Sequence, residues 1–353
     1  VIHVRDCFHI RLAVTNECPA TRHQNILSAN FIISAPSQEP SSGGSQKLKV
    51  FEPEKIGRID HIFLYPVKSC AGVELESARM TKRGIQTISS ESVRDREYAI
   101  VDANREMSTG YHKSLTQKDR DLQKMALIVP RLRGDGIELS WDNQDWIDVP
   151  NYAGKELPVR VHKNFVTGVD QGDKVAKMIG NYLGRPVRLV RASGSFTRTA
   201  NQNYLENDNT LNYQDAYPIN WLFDESVSRL SEILGRFVSP GDFRANIIGA
   251  GGVANSEHSF YRVRFGKVEG VQPKPGTRCM MVNVDQNSGV MQKGRPLPLQ
   301  AIQLNFEWID KYQQRLPIFA ENFLPSVEGI IEKNDDIFAL SPREPPLVYG
   351  ARV

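Results

Sequence analysis

Apolar positions along this chain fall mainly in short runs separated by turn residues, the pattern of strands rather than of long helices. The first run, Ile56 to Val67 (IGRIDHIFLYPV), is rich in strand formers and is closed by Pro66 and the polar pair Lys68-Ser69. Strands are expected at Tyr98 to Val101, Met125 to Val129, Ile137 to Trp141, Trp146 to Val149, and Leu157 to Val161, where alternation is clean. Two stretches have helical spacing. One is capped by Asp173, repeats Val175, Met178, Ile179, Tyr182 and Leu183, and stops at Gly184; the other runs from an Asp224 cap to Gly235 and buries Val227, Leu230 and Leu234. Strand patterns return at Val187 to Val190, Asn246 to Ile248, Phe260 to Phe265, Lys267 to Val271, Cys279 to Val284, Gly329 to Ile331 and Ile337 to Leu340, with a short helical piece near Leu299 to Leu304. Many short strands with few helices predict a β-rich chain built on a barrel-like sheet.

Before Ile56 the pattern is absent. Residues 1 to about 50 lack periodicity, and Ser37 to Lys47 (SQEPSSGGSQK) is too polar to order itself, so 1–50 reads as a disordered tail or presequence. Arg5, Arg11 and Arg22 favour a targeting segment, while Asp6 and Glu17 dilute that signal. A second polar stretch, Phe196 to Asn212, marks the expected domain boundary, which divides the ordered chain into 51–195 and 196–345. At roughly 100–200 residues per domain, two domains suit a chain of 353 residues.

Composition narrows the class without naming a function. With 40% apolar residues, 24% charged residues and a net charge of +3, the chain reads as a soluble globular protein with no demand for nucleic acid. Cys7, Cys18, Cys70 and Cys279 lie far apart with no C-x-x-C pair, against a disulfide scaffold or a four-cysteine zinc site and for a reducing intracellular compartment. No apolar run approaches the roughly 18 residues of a membrane span, so no transmembrane segment is expected.

Candidate chemistry gathers where ionic residues interrupt the strand ends: Tyr65 to Cys70, Asp95 to Tyr98, Gly241 to Asn246, and Gly276 to Gly294. The last sets Cys279 at the mouth of an apolar strand, Met280 to Val284, that runs into the turn Asp285-Gln286-Asn287-Ser288-Gly289. Alone, such a cysteine is either a soft ligand or a core residue. Lys68, Arg96 and Arg244, with Ser69 and Asn246 as neutral partners, would suit an anionic ligand carrying a phosphate, because arginine offers a planar fork and lysine a compact charge. The plainer alternatives stand beside this. Lys68 and Ser69 could cap a turn, Arg96 could pair with Asp95 or Glu97 at the surface, and Arg244 could anchor its loop through Asp242.

These stretches resemble the MOSC family, the molybdenum-cofactor sulfurase C-terminal domain, in its two-domain form. The likeness rests on Y-P-V-K-S-C-x-G at Tyr65 to Gly72, D-R-x-[WFY] at Asp95 to Tyr98, F-R-x-N at Phe243 to Asn246, Thr277-Arg278-Cys279 with Asp285, Ser288 and Gly289, and a closing pattern from Phe323 through Gly329, Ile331 and Asp335. It spans about residues 56 to 341. The resemblance implies an α+β, β-rich fold, a MOSC β-barrel domain preceded by a barrel-like mixed α-β domain. It implies Cys279 as the ligand to molybdenum held by a pyranopterin dithiolene (Mo-molybdopterin), with Lys68, Ser69, Arg96, Arg244 and Asn246 as cofactor contacts. It further implies a molybdenum-dependent oxidoreductase acting on N-hydroxylated small molecules, amidoximes or hydroxylamines, with cytochrome b5 and its NADH-dependent reductase as electron donors. A soluble cytoplasmic or mitochondrial protein fits that chemistry.

Two departures bear on the substrate side. A T-x-R-x-x-P-x-L element would begin at Thr109, but Gly110-Tyr111-His112-Lys113 follows; and Asp215, a second candidate catalytic residue, is followed by Ala216-Tyr217 where relatives carry two hydroxyl residues. A non-catalytic cofactor or sulfur carrier is the second reading. It would call for a second accessible thiol, for which Cys70 is the nearest candidate. A third is a scaffold whose site has lost function.

Overall fold

The computed structural model describes residues 51–88, 93–149, 154–200, 210–310 and 312–344. The expected tail at 1–50 lies outside them. Among the described residues two barrels carry the architecture. In the smaller, Glu156–Val161, Asn164–Asp170, Val187–Ala192, Tyr98–Arg105 and His112–Ser114 pair in that order and close through a parallel contact of Val159 with His112. Alternation explains it: Leu157, Val159 and Val161 point inward while Glu156, Pro158 and Arg160 face out.

The larger sheet is assembled from both ends of the chain. Glu54–Leu64 lies between Ile247–Ala250 and Asp336–Pro342, antiparallel to each. From Asp336–Pro342 the path runs through Phe260–Phe265 and Val268–Val271 to Arg315–Pro325, which also pairs with Ile219–Phe223 and so returns the path on itself. Ile219–Phe223, the helix Asp224–Leu234 and Ile247–Ala250 form a parallel crossover unit. Its interior is aromatic: Trp221 meets Phe223 and Phe265 edge-on, and Phe265 meets Phe323. The β-rich, barrel-like architecture expected from the pattern, and the α+β class implied by the resemblance, are what form.

Several local expectations are corrected. Met280–Asn283 is a 3₁₀ turn, not a strand; Cys279 therefore follows the strand Pro275–Thr277 instead of entering one. Val282 and Asn283 are both buried, which alternation forbids, and the Asn283 side chain accepts from Leu299 N (2.9 Å), tying the turn to the helix Pro298–Asn305. The expected Asp285–Gly289 turn is present between Val284–Asp285 and Val290–Met291. Gln123–Leu127 is likewise 3₁₀, and the strand begins only at Val129. Asp173 and Asp224 stand one residue inside their helices, capped by Gly172 and Phe223; Asp173 binds Arg188 (2.6 Å) instead of a helix amide. Both helices end, as read, on left-handed Gly184 and Gly235.

The strand Arg315–Pro325 was not legible in the pattern, because eight consecutive residues from Ile318 are buried and no alternation survives. Its buried polar residues are satisfied: Glu321 binds His258 (2.6 Å) and Arg343 (2.8 Å), and Asn322 donates to Lys274 O and Pro275 O.

One side chain crosses from the later part of the chain into the smaller barrel. Tyr213 packs fully buried among Val101, Val159, Val190 and Phe196, and its hydroxyl finds no hydrogen-bond partner among the described residues. A Cβ at Gly168 would meet that hydroxyl at 2.6 Å and Val190 Cβ at 3.0 Å. Gly168→Ala is therefore expected to destabilise by about 1–3 kcal/mol. Tyr213→Phe alone should be neutral or stabilising, since a buried hydroxyl without a partner costs desolvation, and combined with Gly168→Ala it should recover part of the loss. Urea denaturation of the three variants checks this.

Candidate functional site

The turns at the strand ends converge on one cleft of about 180 Å³. Lys68 and Ser69 arrive on the turn after Glu54–Leu64, which is fixed by the hydrogen bond of Cys70 N to Val67 O (3.2 Å) and the bridge of Val67 to Tyr98. Arg96 precedes the strand Tyr98–Arg105, Arg244 and Asn246 lie between the 3₁₀ turn Pro240–Phe243 and Ile247–Ala250, and Cys279 follows Pro275–Thr277. Asp215 comes from the segment at 212–215. All seven candidate residues line this cleft. Ser69, Arg96 and Arg244 adopt left-handed φ of 65°, 48° and 52°. Side-chain-bearing residues pay of order 1 kcal/mol or more for that conformation, and such strain clusters at functional sites.

A buried carboxylate joins three of these segments. Asp95, 0% exposed, accepts from Tyr65 N (3.0 Å), from Arg96 Nη1 through both oxygens (2.8 and 2.7 Å) and from Asn246 Nδ2 (2.9 Å). Burial raises its carboxyl above the usual value, and the Arg96 guanidinium works against that. Arg96 thus pairs with Asp95, as its plainer reading had it, but in the interior rather than at the surface. It also reaches Asn246 Oδ1 (3.3 Å) and Arg244 O (3.0 Å). The Arg96 and Arg244 guanidinium groups each lie over the Tyr65 ring, 4.4 Å from its centre.

Arg244 does not anchor through Asp242. Its Nη1 donates to Cys70 O and to Gln286 Oε1, while its Nη2 is buried with no partner among the described residues. Burial, and then the charge of Arg96, lowers its pKa to about 10. Lys68 is buried and donates to Tyr213 O (2.9 Å) and to Asp215 Oδ1. Desolvation lowers its pKa, and Asp215 opposes that. Desolvation also pushes Asp215 upward, but Lys68 and His162, whose Nε2 donates to the same Oδ1 (2.9 Å), outweigh it and hold the carboxyl well below its ordinary range. Asp215 is an ion at neutral pH.

Cys279 is exposed at the cleft and Cys70 is fully buried, its thiol pushed up to about 12 by desolvation. Arg278 orients the loop before Cys279: its guanidinium donates to Phe319 O, Phe243 O (3.3 Å) and Asn220 Oδ1 (2.8 Å), and its amide to Pro317 O (2.8 Å). Thr109 is no part of this cleft; it sits beside the hairpin turn and donates to Glu106 (3.0 Å).

Sequence reasoning missed the braces. Gln117 donates to Ser69 O (2.8 Å) and exchanges two amide hydrogen bonds with Gln286 (2.8 Å each). Buried Arg198 donates to Asn212 O (3.1 Å), Gln214 O and Asp215 O (2.7 Å), which shapes the Asp215 segment. His162 arrives from the hairpin between Glu156–Val161 and Asn164–Asp170. Nothing local marks any of them.

The segments that build this cleft fall within two matched family domains. Residues 56–186 match the family model of the MOSC N-terminal beta barrel domain, and residues 208–315 match that of the MOSC domain. The chain belongs to the MOSC-domain family, in the form that carries both domains. Among individual relatives, mitochondrial amidoxime-reducing component 1 of Xenopus laevis is 24% identical over 298 residues, covering 82% of this chain and 83% of that protein. The Homo sapiens protein of the same name is 26% identical over 298 residues, covering 81% and 84%. Mitochondrial amidoxime reducing component 2 of Bos taurus is 26% identical over 251 residues, covering 69% and 71%. Among solved structures, the YUAD protein of Bacillus subtilis covers 81% of this chain and 96% of that one at 9% identity and a TM-score of 0.35, too loose a superposition to argue from.

The cleft also holds an acid that opposes folding when ionised. Asp242 is 4% exposed, and burial raises its pKa to about 6 despite hydrogen bonds from Gln286 N (3.1 Å) and Gln292 Nε2 (2.9 Å). Its folded-state pKa lies above its unfolded one, so stability falls as pH rises from the ordinary carboxylate value to about 6. A shift of about two units corresponds to on the order of 2–3 kcal/mol. Asp242→Asn should therefore gain stability over wild type near pH 7 and gain much less near pH 4; urea midpoints at the two pH values measure the difference.

Proposed function

We propose that this chain is a molybdenum-cofactor oxidoreductase that reduces N-hydroxylated substrates, amidoximes or hydroxylamines, with Cys279 as the protein's ligand to the metal. The observation that carries the reading is the exposed Cys279 in a cleft where Lys68, Arg96 and Arg244, from three remote segments, converge. The residues present fit such a group in three ways. The orphaned Arg244 Nη2 is a buried donor that an anionic ligand would satisfy. Positive charge exceeds negative: Lys68, Arg96, Arg244 and Arg278 outnumber the acids Asp95, Asp215 and Asp242. Among the described residues no group of three or more His, Cys, Asp or Glu could hold a metal ion, so a metal here must bring most of its ligands with it, as in a dithiolene cofactor. Soft thiolate sulfur suits molybdenum.

The chemistry the bound cofactor supplies is two-electron transfer coupled to removal of oxygen from the substrate. The chain's own residues set the surroundings. Lys68 keeps one ammonium proton beyond its two protein acceptors, and Arg244 keeps Nη2; both would be available to hold the cofactor phosphate. Arg96 is committed to Asp95, Asn246 and Arg244 O, so it contributes charge. Asn246 donates to Phe63 O (3.1 Å) and Asp95 and accepts from Arg96, a braced position from which it, with Ser69 in the same cleft, would contact the pterin. Asp215 presents a fixed carboxylate on the substrate side. On this reading 51–195 supplies Lys68, Ser69 and Arg96, and 196–345 supplies Asp215, Arg244, Asn246 and Cys279.

Electrons would arrive singly from a small haem or flavin partner, cytochrome b5 and its NADH-dependent reductase being the pair the family likeness implies. The relatives are named mitochondrial, and a mitochondrial setting, with the cytoplasm as alternative, belongs to the same proposal. No described helix is long and apolar enough to cross a membrane. A sulfur-carrier role finds little support, since Cys70 is sealed and held as a thiol. Expressed in a host that makes the cofactor, the wild type is expected to hold near-stoichiometric molybdenum by elemental analysis and Cys279→Ala to fall to background. Turnover of benzamidoxime with a reduced dye should follow the metal. Molybdenum retained in full by Cys279→Ala would remove the ligand assignment, and a loaded wild type without turnover would remove the enzyme.

A further inference from the structure

His162 lies outside every motif that marks the site, yet the fold delivers it to the cleft. It occupies the tight turn between Val161 and Asn164, which pair with each other, in a left-handed conformation with φ of 53°. The turn is held from behind: Arg160 Nη1 donates to His162 O (2.8 Å), and the rest of its guanidinium binds the Glu106 carboxylate. Because a carboxylate only accepts, the 2.9 Å contact with Asp215 Oδ1 makes Nε2 of His162 the donor. A second link runs beside it, since Arg198 Nε donates to Asn164 Oδ1 (2.9 Å) while its Nη2 donates to Asp215 O (2.7 Å).

Asp215 is thereby fixed at its main chain by Arg198 and at one side-chain oxygen by both Lys68 and His162. Its other oxygen, Oδ2, receives no hydrogen bond among the described residues, and the side chain is 58% exposed. Asp215 and Cys279 line the same cleft. A fixed carboxylate with one free oxygen is an acceptor for an N–H group.

We propose that His162 is a positioning residue that, with Lys68, clamps Asp215 Oδ1 so that Oδ2 receives an amidine-type N–H of the substrate. The inference rests on the reductase reading and names the substrate class within it: N-hydroxyamidines, whose amino group donates to Oδ2, ahead of N,N-dialkylhydroxylamines, which have no such N–H. The reaction balances as amidoxime plus two electrons and two protons giving amidine and water. The N–O bond breaks, the electrons come from an external one-electron donor, and the oxygen leaves as water. Asp215, being ionised, orients the substrate and is not the proton source.

The test compares wild type with His162→Ala, His162→Gln and Asp215→Asn in the full chain loaded with cofactor. Benzamidoxime and N,N-diethylhydroxylamine are reduced with a chemically reduced dye. In parallel, benzamidine, a redox-inert amidine, is titrated calorimetrically. His162→Ala should raise KM for benzamidoxime and weaken benzamidine on the order of tenfold, the scale of one hydrogen bond to a charged group, with a smaller effect on the dialkyl substrate. His162→Gln, which retains a donor, should recover much of both, and Asp215→Asn should lose both. Equal behaviour of the Ala and Gln variants, or benzamidine affinity unchanged by His162→Ala, overturns the clamp while leaving the reductase reading in place. A wild type that reduces neither substrate overturns the reductase reading, and benzamidine binding then still decides whether His162 sets the Asp215 acceptor.

Discussion

The cleft depends on one carboxylate that water cannot reach. Asp95 ties the main chain at Tyr65, the side chain of Arg96 and the amide of Asn246 into a single cluster, and these come from the first strand, the entrance to the small barrel and the later sheet. A buried ion is costly unless its remaining lone pairs are filled, and here hydrogen bonds fill them from three directions. Removing any one partner would leave charge stranded in the interior. The cluster therefore specifies an arrangement of segments more than it adds net stability. The same arrangement gives both guanidinium groups one aromatic partner, the Tyr65 ring.

Around this cluster the two barrels interlock. The first strand among the described residues belongs to the sheet built mostly from the last third, and Tyr213 from the later part fills the small barrel. The main chain of Tyr213 also accepts from Lys68 and donates to Arg96 O (2.9 Å). Filling the barrel core and placing two cleft cations are thus consequences of one residue's position. Left-handed backbone at Ser69, Arg96 and Arg244 shows the same coupling, since strain at these positions persists only where packing and hydrogen bonds over-determine the turn.

The electrostatics divide the cleft into two sides. On one, burial weakens the hold of Arg244 on its proton and leaves one of its nitrogens unpartnered, a state suited to an anion that supplies the missing acceptor. On the other, Asp215 remains ionised beside Lys68 and faces solvent. Cys279 lies with both, exposed where Cys70, only a few residues from Lys68 in sequence, is sealed. The same residue type is inert in one setting and available in the other because desolvation opposes the thiolate.

How much of this was readable before folding differs by element. Alternation at Leu157–Val161 and helical spacing at Val175–Leu183 were sufficient, because one buried face leaves a periodic trace. The strand Arg315–Pro325 and the 3₁₀ turn after Cys279 left none, since burial there falls on adjacent residues, and helix caps at Gly172 and Phe223 displaced the acids expected there. For the site, strand-end stretches of the sequence marked Lys68, Ser69, Arg96, Arg244, Asn246 and Cys279 as candidates, and the family resemblance added Asp215. That all seven share a cleft was decided by tertiary structure, as were the placement of Gln117, Arg198 and His162 as their braces and the burial of Asp95. Hydrogen bonds between residues more than a hundred positions apart, such as Arg244 with Cys70, carry no local periodicity, so only the closed barrels bring them into existence.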